Sequence, residues 1–138
     1  MIKVEFKRPP NYKQIAETFN LVGKNVVFTY GDTVYAPSGK GLSRDLEVHE
    51  ATHMRQQASL GPDAWWEKYL ADPTFRALQE LEAYREQYQF ACTNYDRISR
   101  RKLLRHISKD LSGRMYGDMM KTSEAEALIK TGIGNGKK

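Results

Sequence analysis

Two histidines, His49 and His53, stand in the pattern HExxH, within a stretch that the surrounding sequence predicts to be helical. Residues four apart on an α-helix lie one turn above each other, with Cβ atoms about 5–6 Å apart, so both imidazoles face the same way. Two such rings can bind one Zn²⁺, at about 2.0–2.1 Å for each nitrogen. The spacing therefore predicts a zinc site on this helix. The alternative is a pair of core histidines on a buried helical stripe.

Glu50 follows the first histidine and lies about 100° round the helix from it, beside a metal rather than on it. In that position a carboxylate can take a proton from a water whose pKa zinc has lowered toward about 7. Glu50 is therefore predicted to be the general base of a hydrolytic reaction.

A catalytic zinc site usually has three protein ligands and one open position, so a third ligand is required. The extended pattern HExxHxxGxxH is absent, because Gln56 stands where glycine is needed and Ser59 where histidine is needed. A carboxylate from a second helix is the alternative source, and the predicted helix after Asp72 offers Glu80 and Glu82. These two glutamates point about 200° apart, so only one of them can face a metal.

The order of these motifs resembles that of gluzincin-type zinc metallopeptidases, and in particular of very small zincin-like phage and prophage proteins. In that family the third ligand is a glutamate on a following helix, often in the pattern ExxA plus a polar residue, which Glu80, Ala83 and Tyr84 match. The resemblance covers most of residues 25–120. It implies a minimal zincin-like fold, Zn²⁺ as cofactor, a peptide or protein substrate, and Glu80 as third ligand. Tyr84 departs from the family, in which Asp or Asn commonly orients a ligand histidine at that position.

A zinc peptidase also needs a hydrogen-bond donor for the oxyanion of the tetrahedral intermediate. Tyr116, in a glycine-flanked segment, is the predicted donor, and His106 is a second candidate. The alternatives are that Tyr116 is a core residue and that His106 lies on the surface of a basic helix.

The resemblance further implies that an edge strand ahead of the HExxH helix aligns the substrate peptide as an added strand, a use of strand edges with a general physical basis. Residues Val34 to Ser38 would form that edge, and Val34, Tyr35 and Ala36 would contact the substrate.

The elements around these motifs follow from periodicity and from turn and cap signals. A β-hairpin is predicted over residues 25–35, because two β-branched and aromatic runs flank Gly31 and Asp32. Helices are predicted to begin after Ser43, after Asp72 and at a capping box that starts at Ser123, with further helices over residues 11–19, 63–70 and 97–111. The fold class is therefore α+β and mostly helical: one domain over residues 1–132, with a short hairpin packed on the HExxH helix, and a disordered tail at 133–138.

Composition limits the class of protein. The 138 residues are 40% hydrophobic and 28% charged, which is typical of a globular chain and excludes a disordered one. There is no long apolar run, and the charged N-terminus lacks the apolar region of a signal peptide. A single cysteine, Cys92, cannot form an internal disulfide. We therefore expect a cytoplasmic protein without a membrane partner, and the resemblance implies a bacterial or phage-infected host cell.

Positive charge is concentrated in the last third of the chain. Residues 1–96 carry eleven Lys and Arg against thirteen Asp and Glu, whereas residues 97–138 carry eleven against four. The stretch from Arg97 to Lys109 contains six basic residues and no acid. This pattern favours an anionic partner such as nucleic acid or an acidic protein surface. The alternative is the solvated face of an amphipathic helix.

The sequence thus supports a zinc-dependent peptidase as the main hypothesis, with Glu50 as general base. The alternative is a basic module that binds nucleic acid or an acidic protein, with a structural or absent metal. A third hypothesis is a metal-free remnant of the fold that serves phage assembly or host control.

Overall fold

The computed structural model describes residues 2–21, 25–113 and 116–135. This part of the chain has the mostly helical α+β composition that the sequence predicts, with six helices and three short strands. Along the chain the elements are β1 (Lys3–Glu5), α1 (Tyr12–Thr18), β2 (Phe28–Tyr30), β3 (Thr33–Tyr35), α2 (Arg44–Leu60), α3 (Pro62–Ala71), α4 (Pro73–Asn94), α5 (Arg97–Leu111) and α6 (Thr122–Asn135).

The chain divides into two compact units, Met1–Ala71 (the N-terminal unit) and Asp72–Lys138 (the C-terminal unit). The N-terminal unit holds β1 to α3, and the C-terminal unit holds α4 to α6. The single domain over residues 1–132 stays a prediction. Of the predicted tail, residues 133–135 belong to helix α6, and residues 136–138 lie outside the described residues.

The N-terminal unit contains a three-stranded sheet, in the order β1-β3-β2. The predicted hairpin is present: β2 and β3 are antiparallel, with Thr29 opposite Val34, and they are shorter than predicted because residues 25–27 precede the first strand. Gly31 has a φ of 66°, a left-handed conformation that glycine adopts without the clash of a Cβ atom. This glycine therefore allows the tight turn between the strands.

Strand β1, which no pattern in the sequence predicts, lies parallel to β3, with Val4 opposite Val34. Strand β3 is therefore the middle strand, paired on both sides. The pairing continues past the strand, since the backbone N–H of Ala36 donates to the carbonyl of Glu5 at 2.8 Å. The prediction that Val34 to Ser38 form a free substrate-binding edge is wrong, because β1 already occupies the edge that a peptide would need.

Helices α2 and α3 complete the N-terminal unit. Helix α2 packs against β2 and against α3. It begins after Ser43 as predicted, although the Ser43 side chain makes no capping hydrogen bond, and it ends at Gly61, whose φ is 89°. Helix α3 buries its aromatic residues Trp65, Trp66 and Tyr69, the core assignment that their spacing indicates.

The C-terminal unit consists of α4, α5 and α6, each of which packs against the other two. Its core combines aromatic residues of α4 with aliphatic residues of the other helices. The main members are Tyr84, Tyr88, Leu104, Ile107, Leu111, Tyr116, Ala125 and Ile129. Helix α5 contributes the apolar side predicted from its sequence, and the basic residues between these positions are left on its surface.

Of the two helix starts predicted from capping residues in this unit, one is confirmed and one is wrong. Helix α4 begins as predicted, because the Asp72 carboxylate accepts hydrogen bonds from the backbone N–H groups of Thr74 and Phe75 at 3.0 and 3.3 Å. The capping box predicted to start at Ser123 is wrong. Helix α6 begins at Thr122, and the Glu124 carboxylate accepts from the backbone N–H of Lys121 at 2.8 Å, which caps the helix two residues earlier.

Candidate metal centre

The two histidines of the HExxH motif lie on α2, in the helical conformation that the sequence predicts. His49 and His53 are both buried, with 6% and 5% of their surface exposed. Their ring centroids are 4.9 Å apart, and the ring planes are inclined at 80°. The helix therefore presents two imidazoles side by side in a largely dehydrated position.

The neighbouring Gln56 favours one tautomer of His53. Nδ1 of His53 lies 2.8 Å from Oε1 of Gln56, one turn along the helix. An amide oxygen can only accept a hydrogen bond, so this contact requires the proton on Nδ1, and a neutral ring in this tautomer has its lone pair on Nε2. Ligand histidines of metal sites are commonly held in one tautomer by such an acceptor.

Glu50 is buried beside the histidines, with 4% of its surface exposed. Its Oε1 accepts a hydrogen bond from the hydroxyl of Thr29, with 2.6 Å between the two oxygens. Within the part of the chain that the structure describes, its carboxylate makes no other hydrogen bond. One oxygen is thus held in position, and Oε2 is left to interact with a substrate or water.

Strand β2 is linked to helices α2 and α3 by hydrogen bonds to the carbonyl oxygen of Thr29. That oxygen accepts from Nε2 of Gln57 at 2.7 Å and from the indole N–H of Trp66 at 2.8 Å. The amide oxygen of Gln57 in turn accepts from the backbone N–H of Gly31 at 2.7 Å. Because three hydrogen bonds hold this strand, the Thr29 hydroxyl has a defined direction toward Glu50.

An aromatic cluster borders the histidine pair within the same unit. The indole of Trp65 lies with its centroid 5.3 Å from that of His53 and stacks on Tyr69 at 4.8 Å. Trp65 is only 1% exposed. Such packing excludes water from one side of the His53 imidazole, which strengthens electrostatic interactions there.

In the C-terminal unit, the two glutamates that the sequence offers as a third ligand differ in burial. Glu80 is 5% exposed, whereas Glu82 lies on the exposed side of α4. A buried carboxylate needs a counter-charge or hydrogen-bond donors to be stable. Of the two, Glu80 therefore has the environment expected of a metal ligand.

Tyr84, one turn beyond Glu80, is a buried residue of the same unit. Burial raises the pKa of its phenol well above the ordinary value, and the neighbouring Tyr116 and Glu80 raise the pKa further. The Tyr84 phenol is therefore neutral at physiological pH.

The two predicted oxyanion donors are in different environments. Tyr116 is 6% exposed, belongs to the core of the C-terminal unit and hydrogen-bonds with Tyr84. His106 is exposed on α5, and its Nε2 lies 3.4 Å from a carboxylate oxygen of Asp110. Tyr116 is therefore buried as a core residue is. The role of Tyr116 as oxyanion donor stays a prediction.

The predicted substrate contacts fall on the middle strand of the sheet. Val34 and Ala36 are fully buried, and Tyr35 is half-buried. Together with the strand pairing, this burial leaves no room for a peptide to add beside Val34 and Ala36.

Three residues of the N-terminal unit were missed as parts of the site: Thr29, Gln56 and Gln57. Gln57 could have been noticed, because it lies one turn beyond His53 on the same helix face, where an apolar residue would be usual. No local pattern indicates Thr29, whose partner Glu50 is 21 residues away.

Comparisons with known proteins identify no relative: no family model, no curated protein and no solved structure matches this chain. Across the described residues, no helix combines the length and the apolar composition that crossing a bilayer requires.

Proposed function

We propose that this protein is a zinc-dependent peptidase, in which His49, His53 and Glu80 bind the metal and Glu50 is the general base. One observation carries the proposal: two buried imidazoles lie one helical turn apart, beside a buried carboxylate that a threonine hydroxyl orients. In further support, His49, His53 and Glu80 are side chains of the kinds that bind metal ions, and all three are buried.

The donor set suits zinc. Two imidazole nitrogens and one carboxylate oxygen are the ligands of a well-known class of catalytic zinc sites, which keep a fourth position open. The hydrogen bond from His53 to Gln56 supports this assignment, because it leaves the Nε2 lone pair as the donor atom of the ring. Bound zinc would supply a Lewis acid that lowers the pKa of a water molecule and polarises the substrate carbonyl.

The residues of the chain then carry the proton transfers. Glu50 accepts a proton from the attacking water through Oε2, while Thr29 keeps Oε1 in place. The water oxygen forms a bond to the carbonyl carbon of the peptide. Glu50 then delivers the same proton to the leaving nitrogen as the carbon–nitrogen bond breaks, so a free amine and a carboxylic acid result, and the acid loses its proton to solvent at neutral pH.

The proposed setting is the cytoplasm, where a protein with one cysteine needs no disulfide partner. The proposed substrate is a peptide or an unfolded protein segment, and the substrate contacts must lie elsewhere than on strand β3.

Three variants and one metal analysis test this function. Purified protein is expected to contain zinc, and a content below about 0.1 equivalent under conditions that retain metal would rule the proposal out. Glu50→Gln should keep the metal and lower hydrolysis of a labelled unfolded protein by about 10²- to 10⁴-fold. His49→Ala should lose both metal and activity.

Glu47 provides a matched control, because it is an exposed glutamate of the same helix. Glu47→Gln should keep both the metal and the activity. Full activity of Glu50→Gln would show that this glutamate is not the general base, even if zinc were bound.

A further inference from the structure

A second feature, separate from the histidines, is a cavity of about 350 Å³ on the surface of the C-terminal unit. Leu104 and Tyr88 contribute its apolar lining. Its charged lining, here called the basic groove, consists of Arg97, Arg100, Arg101 and Arg105 of α5 with Glu126 and Lys130 of α6.

The positive charge of the basic groove is not neutralised by the protein. Five cations line it against one carboxylate, that of Glu126. Throughout the described ranges of the chain, none of the five has an ion-pair partner. Cations that merely solubilise a helix need no concave surface, whereas these five converge on one. The groove therefore carries an electrostatic field suited to an anion.

The spacing of the arginines indicates an extended anion rather than a single one. Arg97, Arg101 and Arg105 are four residues apart, so each lies about 6 Å further along α5 and the row spans about 12 Å. The guanidinium group is planar and binds phosphate oxygens with two parallel hydrogen bonds. A row of three such groups matches a chain of phosphates.

The rest of the lining favours contacts to a backbone rather than to bases. Proteins that bind single strands usually offer exposed aromatic rings on which bases stack. The one aromatic residue here is Tyr88, which is 8% exposed and belongs to the core. A duplex needs no such platform, since its phosphates alone provide sequence-independent binding.

We infer that the basic groove binds the phosphate backbone of a nucleic-acid duplex, without sequence preference. Arg97, Arg101 and Arg105 contact successive phosphates, and Lys130 of α6 adds a further positive charge to the lining. This binding is independent of zinc, because none of the groove residues is a proposed metal ligand.

The test is a fluorescence anisotropy titration of the full chain with a labelled duplex of mixed sequence. With three or four phosphates neutralised, the affinity should fall about 40- to 150-fold between 50 and 200 mM salt. Arg101→Gln should weaken binding and reduce the salt slope by about 1. A double variant, Arg97→Gln with Arg105→Gln, provides a second test. If the salt slope of binding were unchanged both in this double variant and in Arg101→Gln, the proposal would be overturned.

Lys102 provides the matched control. It is the next residue on α5 and is also exposed, but it does not line the groove. Lys102→Gln should reduce the slope less than Arg101→Gln does, and an equal reduction would mean that the groove has no special role. Because these side chains are exposed, circular dichroism and thermal unfolding should be unchanged in all variants.

Two further experiments complete the test. The first distinguishes a nucleic-acid duplex from free polyphosphate as the ligand, and the second distinguishes binding in the groove from the proposed zinc-dependent activity. Inorganic tripolyphosphate should compete poorly with the duplex, and competition at equal phosphate concentration would assign the groove to free polyphosphate instead. Treatment with EDTA should leave duplex binding unchanged. Loss of binding on chelation would contradict a zinc-independent groove, whereas a failed peptidase assay would not affect this result.

Discussion

The hydroxyl of Thr29 donates a hydrogen bond to the carboxylate of Glu50, so a residue of strand β2 orients the proposed general base on helix α2. The two side chains are 2% and 4% exposed, and their oxygens are 2.6 Å apart. The strand is held by Gln57 and Trp66, which both donate to the Thr29 carbonyl. The small sheet therefore contributes to the site through the hydrogen bond from Thr29 to Glu50, although its middle strand cannot bind a substrate peptide.

Replacing Thr29 by valine should weaken both folding and catalysis. The variant leaves the buried Glu50 carboxylate without its donor, which should lower the free energy of unfolding by about 1–3 kcal/mol in a urea titration. It should also lower kcat without changing zinc content, because Glu50 loses its orientation while the ligands remain. Thr29→Ser keeps the hydroxyl and should lie near wild type in both measurements. A Thr29→Val protein with unaltered kcat would show that this hydrogen bond is irrelevant to the reaction.

Replacing Gln56 by leucine should weaken zinc binding. The amide oxygen that accepts from Nδ1 of His53 disappears, so the ring can adopt the wrong tautomer. Loss of such a partner typically costs about 10- to 100-fold in metal affinity, measurable by competition with a chromogenic chelator. Gln89, an exposed glutamine of α4, provides the control: Gln89→Leu should bind zinc like wild type. Equal affinity in the two variants would contradict the assigned role of Gln56.

Glu80→Gln and Glu82→Gln together identify the third ligand. Glu80 is buried and Glu82 is exposed, so only Glu80→Gln should lose most of the bound zinc on gel filtration. The neutral amide is a poorer ligand, because it lacks the negative charge of the carboxylate. The reverse result, with zinc lost only from Glu82→Gln, would exclude Glu80 as a ligand.

Removing the metal should destabilise the protein. A ligand that binds only the folded state stabilises it by about 2.7 kcal/mol when its free concentration is 100 times Kd. Excess EDTA should therefore lower the Tm in differential scanning calorimetry, and added zinc should restore it. A Tm that does not change on chelation would favour the hypothesis of a metal-free remnant fold.

The stability of the C-terminal unit should fall in acid in a way that depends on Asp96. The pKa of this carboxyl is held below its ordinary value of 3.8, chiefly because it accepts a hydrogen bond from the backbone N–H of Ser99 at the start of α5. The stabilisation is therefore present above the ordinary pKa and is lost as the pH falls through the lowered value.

The Asp96→Ala variant lacks this contribution at every pH. With EDTA present throughout, its Tm should lie below that of wild type at neutral pH, and the gap should narrow below about pH 3. A gap that stays constant from neutral to acidic pH would show that the charge of Asp96 does not stabilise the helix.

Much of the local structure could be predicted because its causes are local. Helix α4 begins after Asp72, whose carboxylate accepts hydrogen bonds from backbone N–H groups of the first turn, and Pro73 is its first residue. The hairpin turns at Gly31, which tolerates a positive φ. The face shared by His49 and His53 follows from the helical repeat alone. These features depend on residues within a few positions of one another.

What only the tertiary structure decided depends on residues distant in sequence. The pairing of β1 with β3 joins residues 30 positions apart, and it turned a predicted free edge into the middle of the sheet. The bond between Thr29 and Glu50, the burial of Glu80 rather than Glu82, and the convergence of α5 and α6 on one groove also depend on packing. Sequence periodicity determines which side of an element is apolar, but the choice of partner is made by the free energy of packing the whole chain.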